Sequence, residues 1–186
     1  MTWLDKYLQN WRIRKVLNHI SGKVALLDIG CHQGELLLKA KDKISIGIGI
    51  DPQCSNGSLA PNLQLVKGMF PAVLPRHQGF DFITALAVLE HIPLHEQATF
   101  LKACFEMLNN NGTLILTVPD AKVDYLLKWL TRFKLVSGMS LEQHFGFDIH
   151  TTPLSAKNAG FELALHQRFQ LGLNNLFVFS KTTLEL

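Results

Sequence analysis

Cysteine is scarce in this chain: Cys31, Cys54 and Cys104 are the only three among 186 residues. An odd count without C-x-x-C spacing forms no disulfide framework and suggests neither a zinc site nor dithiol redox chemistry. It fits a reducing, cytoplasmic setting. Charge is thin as well. Asp, Glu, Lys and Arg make up 18% of the residues and the net charge is +3, too little by itself to point to nucleic acid. No apolar run approaches the roughly 18 residues that a membrane span needs. There is no repeat, low-complexity block or long linker. There is also no G-x-S-x-G elbow and no set of three side chains with metal-ligand spacing, so neither a serine triad nor a metal is expected. What is left is an ordinary globular composition, 47% apolar, expected to form one domain over residues 1–186 with a substantial core.

The first twenty residues are read as an N-terminal amphipathic helix, followed by a core over 21–186. Trp3, Leu4, Tyr7, Leu8, Trp11, Leu17 and Ile20 recur at helical spacing, with Lys6, Arg12, Arg14 and Lys15 among them. The segment lacks the compact apolar block and cleavage site of a signal peptide. Two uses are open. The basic side can rest on a membrane surface or an anionic substrate. Alternatively, the apolar side packs on the domain and the charges stay solvated.

Beyond it, strands and helices alternate. Val24–Ile29, Ile44–Ile50, Leu63–Val66, Phe80–Ala87 and Thr113–Val118 read as strands, with helices over Glu35–Lys41, from Pro93 to Leu108, and over Ala121–Val136. Phe161–Phe169 and Leu176–Phe179, with Gly172 and two asparagines between them, give a late hairpin. Alternation of this kind makes a parallel sheet with helices on both faces. Ligands of such sheets lie beyond the C-terminal strand ends. The informative residues are therefore Asp28 to Gly34, Asp51 to Gln53, Lys67 to Phe70, Ala87 to His91 and Pro119 to Lys122. Ser137 to Thr151 has no strong period, holds His144, Phe145, Phe147 and His150, and is a candidate substrate loop.

Three features of that edge carry chemistry. Asp28-Ile29-Gly30-Cys31-His32-Gln33-Gly34 joins a strand to a helix through a glycine turn, which lets a ligand approach bare backbone. Asp51 lies 23 residues past Asp28, just after the second strand, where a carboxylate can accept both hydroxyls of a ribose. His91, with His144 and His150, can titrate near neutral pH. His91 follows the fourth strand and can act as a base or hold an acceptor. Glu90 beside it is read as structural. A nicotinamide site would need G-x-G-x-x-G, whereas this chain offers Gly30 and Gly34 with no third glycine between them in that register.

The ensemble resembles the class I S-adenosylmethionine-dependent methyltransferases. Asp28, Gly30 and Gly34 match the family's D-x-G-x-G-x-G, with His32 in place of the middle glycine. Phe80-Asp81-Phe82-Ile83 and Val88-Leu89-Glu90-His91-Ile92 resemble its F-D-x-h and h-L-E-H-h segments (h is apolar). Leu108 to Pro119 resembles its L-x-P-G-G turn and following strand, with asparagines in the turn. Ala159-Gly160-Phe161 resembles the A-G-F before its final hairpin. The resemblance covers residues 20–181. It implies a Rossmann-like α/β fold of seven strands in the order 3-2-1-4-5-7-6, strand 7 antiparallel, with helices on both faces.

It also implies S-adenosylmethionine as cofactor, S-adenosylhomocysteine as product, and methyl transfer to an unidentified small-molecule acceptor by in-line displacement. The cofactor would be held by Asp28, Gly30, Cys31, His32, Gly34, Asp51, Pro52, Gln53, Gly68, Met69, Phe70, Ala87 and Val88. Met69 stands where the family commonly has an adenine-contacting acid, so apolar surface and a backbone N–H are what remain there. His91 and His144 are the catalytic candidates. Two other readings stay open: a methyltransferase-like binding or scaffold subunit without turnover, and a nicotinamide-dependent oxidoreductase. Neither the acceptor nor the oligomeric state is legible in the residues.

Overall fold

The computed structural model describes residues 3–74, 79–120 and 148–182. Within them eight strands form one sheet: β1 (Val24–Ile29), β2 (Ile44–Asp51), β3 (Gly57–Ala60), β4 (Leu63–Lys67), β5 (Phe80–Leu86), β6 (Leu108–Pro119), β7 (Phe161–Phe169) and β8 (Asn174–Lys181). Their spatial order is β3-β4-β2-β1-β5-β6-β8-β7. The run from β4 to β6 is parallel, and β8 is antiparallel to both β6 and β7.

Without β3, this is the expected order with the expected antiparallel strand. The count of seven is corrected to eight. Gly57–Ala60 doubles back along β4 as an antiparallel edge. Four residues are too short for alternation to declare a strand. Leu59 anchors it, packed against the buried cluster beneath α1 and α2.

Among the described residues four helices flank the sheet: α1 (Trp3–Leu17), α2 (Glu35–Ala40), α3 (Leu94–Met107) and α4 (Thr152–Asn158). Side chains alternate across the strands and split the core into two layers. Leu26 of β1 and Ile115 of β6 face α1 and α2, meeting Ile13, Val16, Leu36 and Leu37. Leu27, Leu114 and Leu116 face the other way, meeting Phe100, Leu101 and Cys104 of α3 and Ala156 of α4. Phe161, Phe177 and Phe179 of the late hairpin close that second layer.

Two turns differ from expectation. The Asn109–Gly112 turn lies inside β6: Leu108 pairs with Phe80 and Thr113 with Phe82, while the four residues between bulge out, with Asn111 at φ +62°. Asn174 and Asn175 are not in the late turn but are buried at the start of β8, opposite Pro119 and Val118. Gln170, Leu171 and Gly172, all at positive φ, make the turn instead.

The N-terminal helix packs on the core through Ile13 and Val16 and leaves Trp3, Lys6, Tyr7 and Arg14 exposed. Arg12 departs from the expectation of solvated charges, because its Nε is enclosed. Gln170 Nε2 donates to the Leu8 carbonyl (2.7 Å), and Lys43 Nζ donates to the Leu17 and Ile20 carbonyls (3.0 and 2.8 Å). Gln170 lies at the β7–β8 turn and Lys43 just before β2. The helix thus crosses the sheet with its N-terminal half at the edge where the parallel strands end. No helix among the described residues is long and apolar enough to cross a membrane. The expected helix over 121–136 and the expected loop up to residue 147 lie outside the described residues.

Candidate functional site

Where β1 ends, the chain turns over the end of β2. Gly30 and Cys31 both donate their N–H to the Ile50 carbonyl (2.8 and 3.2 Å), and Gly34 donates to Cys31 (2.8 Å). Gly30 and Gly34 have φ of +71° and +79°, a region that a side chain makes costly. Space forbids one too. A Cβ on Gly30 would stand 2.5 Å from Val88 Cγ2, and one on Gly34 2.3 Å from Leu59 Cδ1. His32 takes φ +52° without being glycine. Its ring reaches outward to Glu35 (Nδ1 to Oε1, 3.2 Å) and stays half exposed, so its bulk leaves the turn open.

Asp51 ends β2 and braces this turn. Its Oδ2 accepts the N–H of His32 (2.9 Å) and its Oδ1 the N–H of Gln53 (2.7 Å). Each carboxylate oxygen offers about two acceptor sites, so each keeps one beyond these bonds. The Asp51 carbonyl accepts from Gly68 (3.2 Å). Cys31 lies under the turn, its thiol pushed up by burial. Pro52 and Gln53 are exposed beside it.

Asp28 lies deeper, 4% exposed, between Gly49 of β2 and Thr84 of β5. Thr84 Oγ1 donates to its Oδ1 (2.7 Å). Burial pushes the carboxyl up to about 7; the Thr84 bond opposes this, and the charges of Glu35 and Asp51 add to it. A cation bound nearby would favour the ionised form. Thr84 escapes sequence reasoning. Its one signal is a hydroxyl inside an apolar strand, and only the register shows that it meets Asp28.

The remaining predicted residues fall on the same edge. After β4, Gly68 has φ +150°, Met69 is 66% exposed, and Phe70 packs edge-on against Phe100 of α3 with centroids 5.4 Å apart. After β5, Ala87 takes φ +59° and donates to the Thr117 carbonyl (2.8 Å). Val88 then fills the space over Gly30. A 3-10 turn, Leu89–His91, follows. It buries Glu90 to 2% exposure and leaves His91 exposed. Burial pushes the Glu90 carboxyl up to about 7; its own backbone N–H and the positive charge of Arg12 pull the other way.

His144 lies outside the described residues. His150 is exposed in the 3-10 turn Ile149–Thr151, its N–H bonded to Asp148 Oδ1 (2.9 Å). Among the described residues no three His, Cys, Asp or Glu side chains are grouped to hold a metal.

Comparison with known proteins identifies the fold and the family. Residues 4–166 match the methyltransferase domain family. A ubiquinone biosynthesis O-methyltransferase of Rhodopseudomonas palustris (strain HaA2) is 29% identical over 170 residues, covering 77% of this chain and 65% of that protein. Against the curated relatives it matches, the chain spans 50–65% of their length.

The structure overlays a Haloferax volcanii methyltransferase, solved with the Trm112 methyltransferase activator, at a TM-score of 0.70, with 14% identity and coverage of 96% and 94%. It overlays the magnesium protoporphyrin IX methyltransferase of Synechocystis PCC 6803, solved with bound S-adenosylhomocysteine, at 0.64, with 16% identity and coverage of 95% and 83%. At such identities the structural likenesses speak for the fold, and the match over residues 4–166 speaks for the family. The chain belongs to the methyltransferase domain family, the class I methyltransferases that depend on S-adenosylmethionine.

Proposed function

We propose that residues 1–186 act as one domain that binds S-adenosylmethionine along the strand-end edge and directs its methyl group to a hydroxyl of a small molecule. The cofactor supplies a methyl group already activated by a sulfonium, so the protein's task is alignment and exclusion of water. Asp51 receives the ribose hydroxyls on the acceptor sites left free by His32 and Gln53. Asp28 takes the ammonium, directly or through a water. Gly30, Cys31, His32 and Gly34 present backbone to the methionine part. Pro52, Gln53, Gly68, Met69 and Phe70 flank the base. Ala87, Val88 and His91 form the side from which the acceptor approaches. His91 there holds the acceptor or passes its proton to water, and His144 is a second candidate. The O-methyltransferase relatives favour oxygen as the accepting atom.

The observation that carries this reading is the doubly braced Asp51, set beside a turn whose two glycines have no room for side chains. The test is incubation of the full chain with S-adenosylmethionine and a panel of mono- and dihydric phenols. Mass spectrometry should find S-adenosylhomocysteine and a phenol heavier by one methylene. Cofactor binding with no turnover on any hydroxyl, amine or thiol would favour the scaffold reading instead.

A further inference from the structure

The outer side of α1 has no part in the reading above. The inner side is fixed, with Ile13 and Val16 buried in the layer beneath it. Four residues of the helix are exposed, and they are two aromatics and two cations: Trp3, Lys6, Tyr7 and Arg14. Trp3, Tyr7 and Arg14 follow one another at steps of four and seven residues, so they share one stripe. Trp3 is 74% exposed. Tyr7 packs edge-on against Trp11 with centroids 6.0 Å apart. Beside this pair opens a cleft of about 500 Å3, lined among the described residues by Tyr7, Trp11, Arg14, Lys15, Leu17 and Asn18. Asp5 is the one acidic residue of the helix, and it is not among the exposed ones.

A second element reaches the same place. Gln170 ties the β7–β8 turn to the Leu8 carbonyl (2.7 Å). The next residue, Leu171, is 94% exposed at φ +58°. Left-handed backbone is costly for a leucine, and asparagine or glycine would hold the turn at less cost. Apolar surroundings would offset that cost, and the folded chain does not provide them. Aromatic rings, a bare leucine and cations with no exposed acid among them suit the headgroup boundary of a bilayer. The cations select anionic lipid. A second copy docked through this face would instead bring cations against cations.

We propose that the outer face of α1 and the tip of the β7–β8 turn dock the chain on an anionic bilayer. Trp3, Tyr7 and Leu171 enter the headgroup boundary, and Lys6, Arg14 and Lys15 meet lipid phosphates. Of the two uses open to this helix in sequence, packing takes its inner side and the membrane its outer side. With fifteen residues the helix lies on the bilayer and does not cross it. Its N-terminal half lies at the strand-end edge, so docking brings that edge next to the lipid surface. Docking uses none of the cofactor residues, and it holds or fails independently of the methyl-transfer reading.

The test is co-sedimentation of the full chain with vesicles at about 0.1 M salt. One set is phosphatidylcholine alone and the other contains about one third phosphatidylglycerol. The chain should pellet with the anionic set, stay in solution with the neutral set, and be largely released at about 1 M salt, where charges are screened within about 3 Å. Lys6→Glu and Arg14→Glu should each weaken binding about fivefold or more. Leu171→Asn should weaken it about threefold or more while melting no lower than the wild type, because asparagine tolerates the left-handed turn. A turn residue with no contact outside the molecule would not show that pairing of effects. No pelleting with the anionic set, equal pelleting with both sets, or wild-type-like binding in the three variants would each overturn the assignment. So would a dimer that forms without vesicles and dissociates in these variants, because the face would then belong to a second copy.

Discussion

Asp51 is braced before any ligand arrives, because its two oxygens already receive the N–H groups of His32 and Gln53. Asp51→Ala would therefore remove the proposed ribose acceptor and loosen the turn at once. A charge-assisted pair is worth about 1.5–3 kcal/mol. S-adenosylhomocysteine affinity should fall by about one to two decades, as titration calorimetry would show. An unchanged affinity would place the ribose elsewhere.

Asp28 gives a pH prediction. Its folded value of about 7 lies above its ordinary 3.8, so between the two the folded state keeps a proton that the unfolded state has lost. The resulting stability is full below the lower value and fades as pH rises through about 7. Ligand-free protein should melt earlier at about pH 8 than at about pH 5, with part of that difference gone in Asp28→Asn. Holding a cationic ammonium requires the ionised form. S-adenosylhomocysteine binding should accordingly tighten through the same interval and do so less in Asp28→Asn. An equal slope in both proteins would remove Asp28 from the ammonium site.

The glycine turn and the tether of α1 are the elements on which the site depends. Gly30→Ala would add a methyl 2.5 Å from Val88 Cγ2 at φ +71°. Left-handed backbone at a residue with a side chain costs about 1–2 kcal/mol, and displacement of Val88 adds to that. The variant should melt several degrees lower by calorimetry and bind cofactor more weakly; a wild-type melting point would show that the turn is slack. Gln170→Ala would strip the Leu8 carbonyl of its donor and leave the Asn174 amide, which donates to Gln170 Oε1, without its acceptor. Amide exchange should quicken in α1 while β1 and β5 stay protected. Uniform quickening would mean the helix is not separately tethered.

Much at this scale was legible from the residues. Apolar runs ending in Asp-Ile-Gly and in Asp-Pro mark β1 and β2, because a parallel strand buried on both faces is nearly continuous in apolar residues and its carboxylates stand at the end. β3 was not legible, since its place is set by Leu59 packing over Gly34, a contact between segments far apart in the chain. The inward turn of Arg12 was hidden for the same reason. Spacing along a helix shows a stripe of residues but not which of its charges acts on the buried carboxyl of Glu90.

At the scale of the molecule, the sheet gathers residues from six chain segments at one edge. The order β4-β2-β1-β5-β6 puts the β1 turn between the ends of β2 and β5. The antiparallel β8 brings Asn174 and the β7–β8 turn to the same edge, and that turn in turn holds α1. The motifs predicted this sheet because each sits at a strand end, where the fold does its chemistry. They could not say which polar groups from separate strands meet, as Thr84 meets Asp28. The central claim is that this edge is a cofactor site for S-adenosylmethionine. Calorimetry of the full chain against S-adenosylhomocysteine and NAD tests it most directly. The account predicts one S-adenosylhomocysteine bound per chain, weakened in Asp51→Ala, with no heat from NAD. Saturable NAD binding with no response to S-adenosylhomocysteine would contradict it.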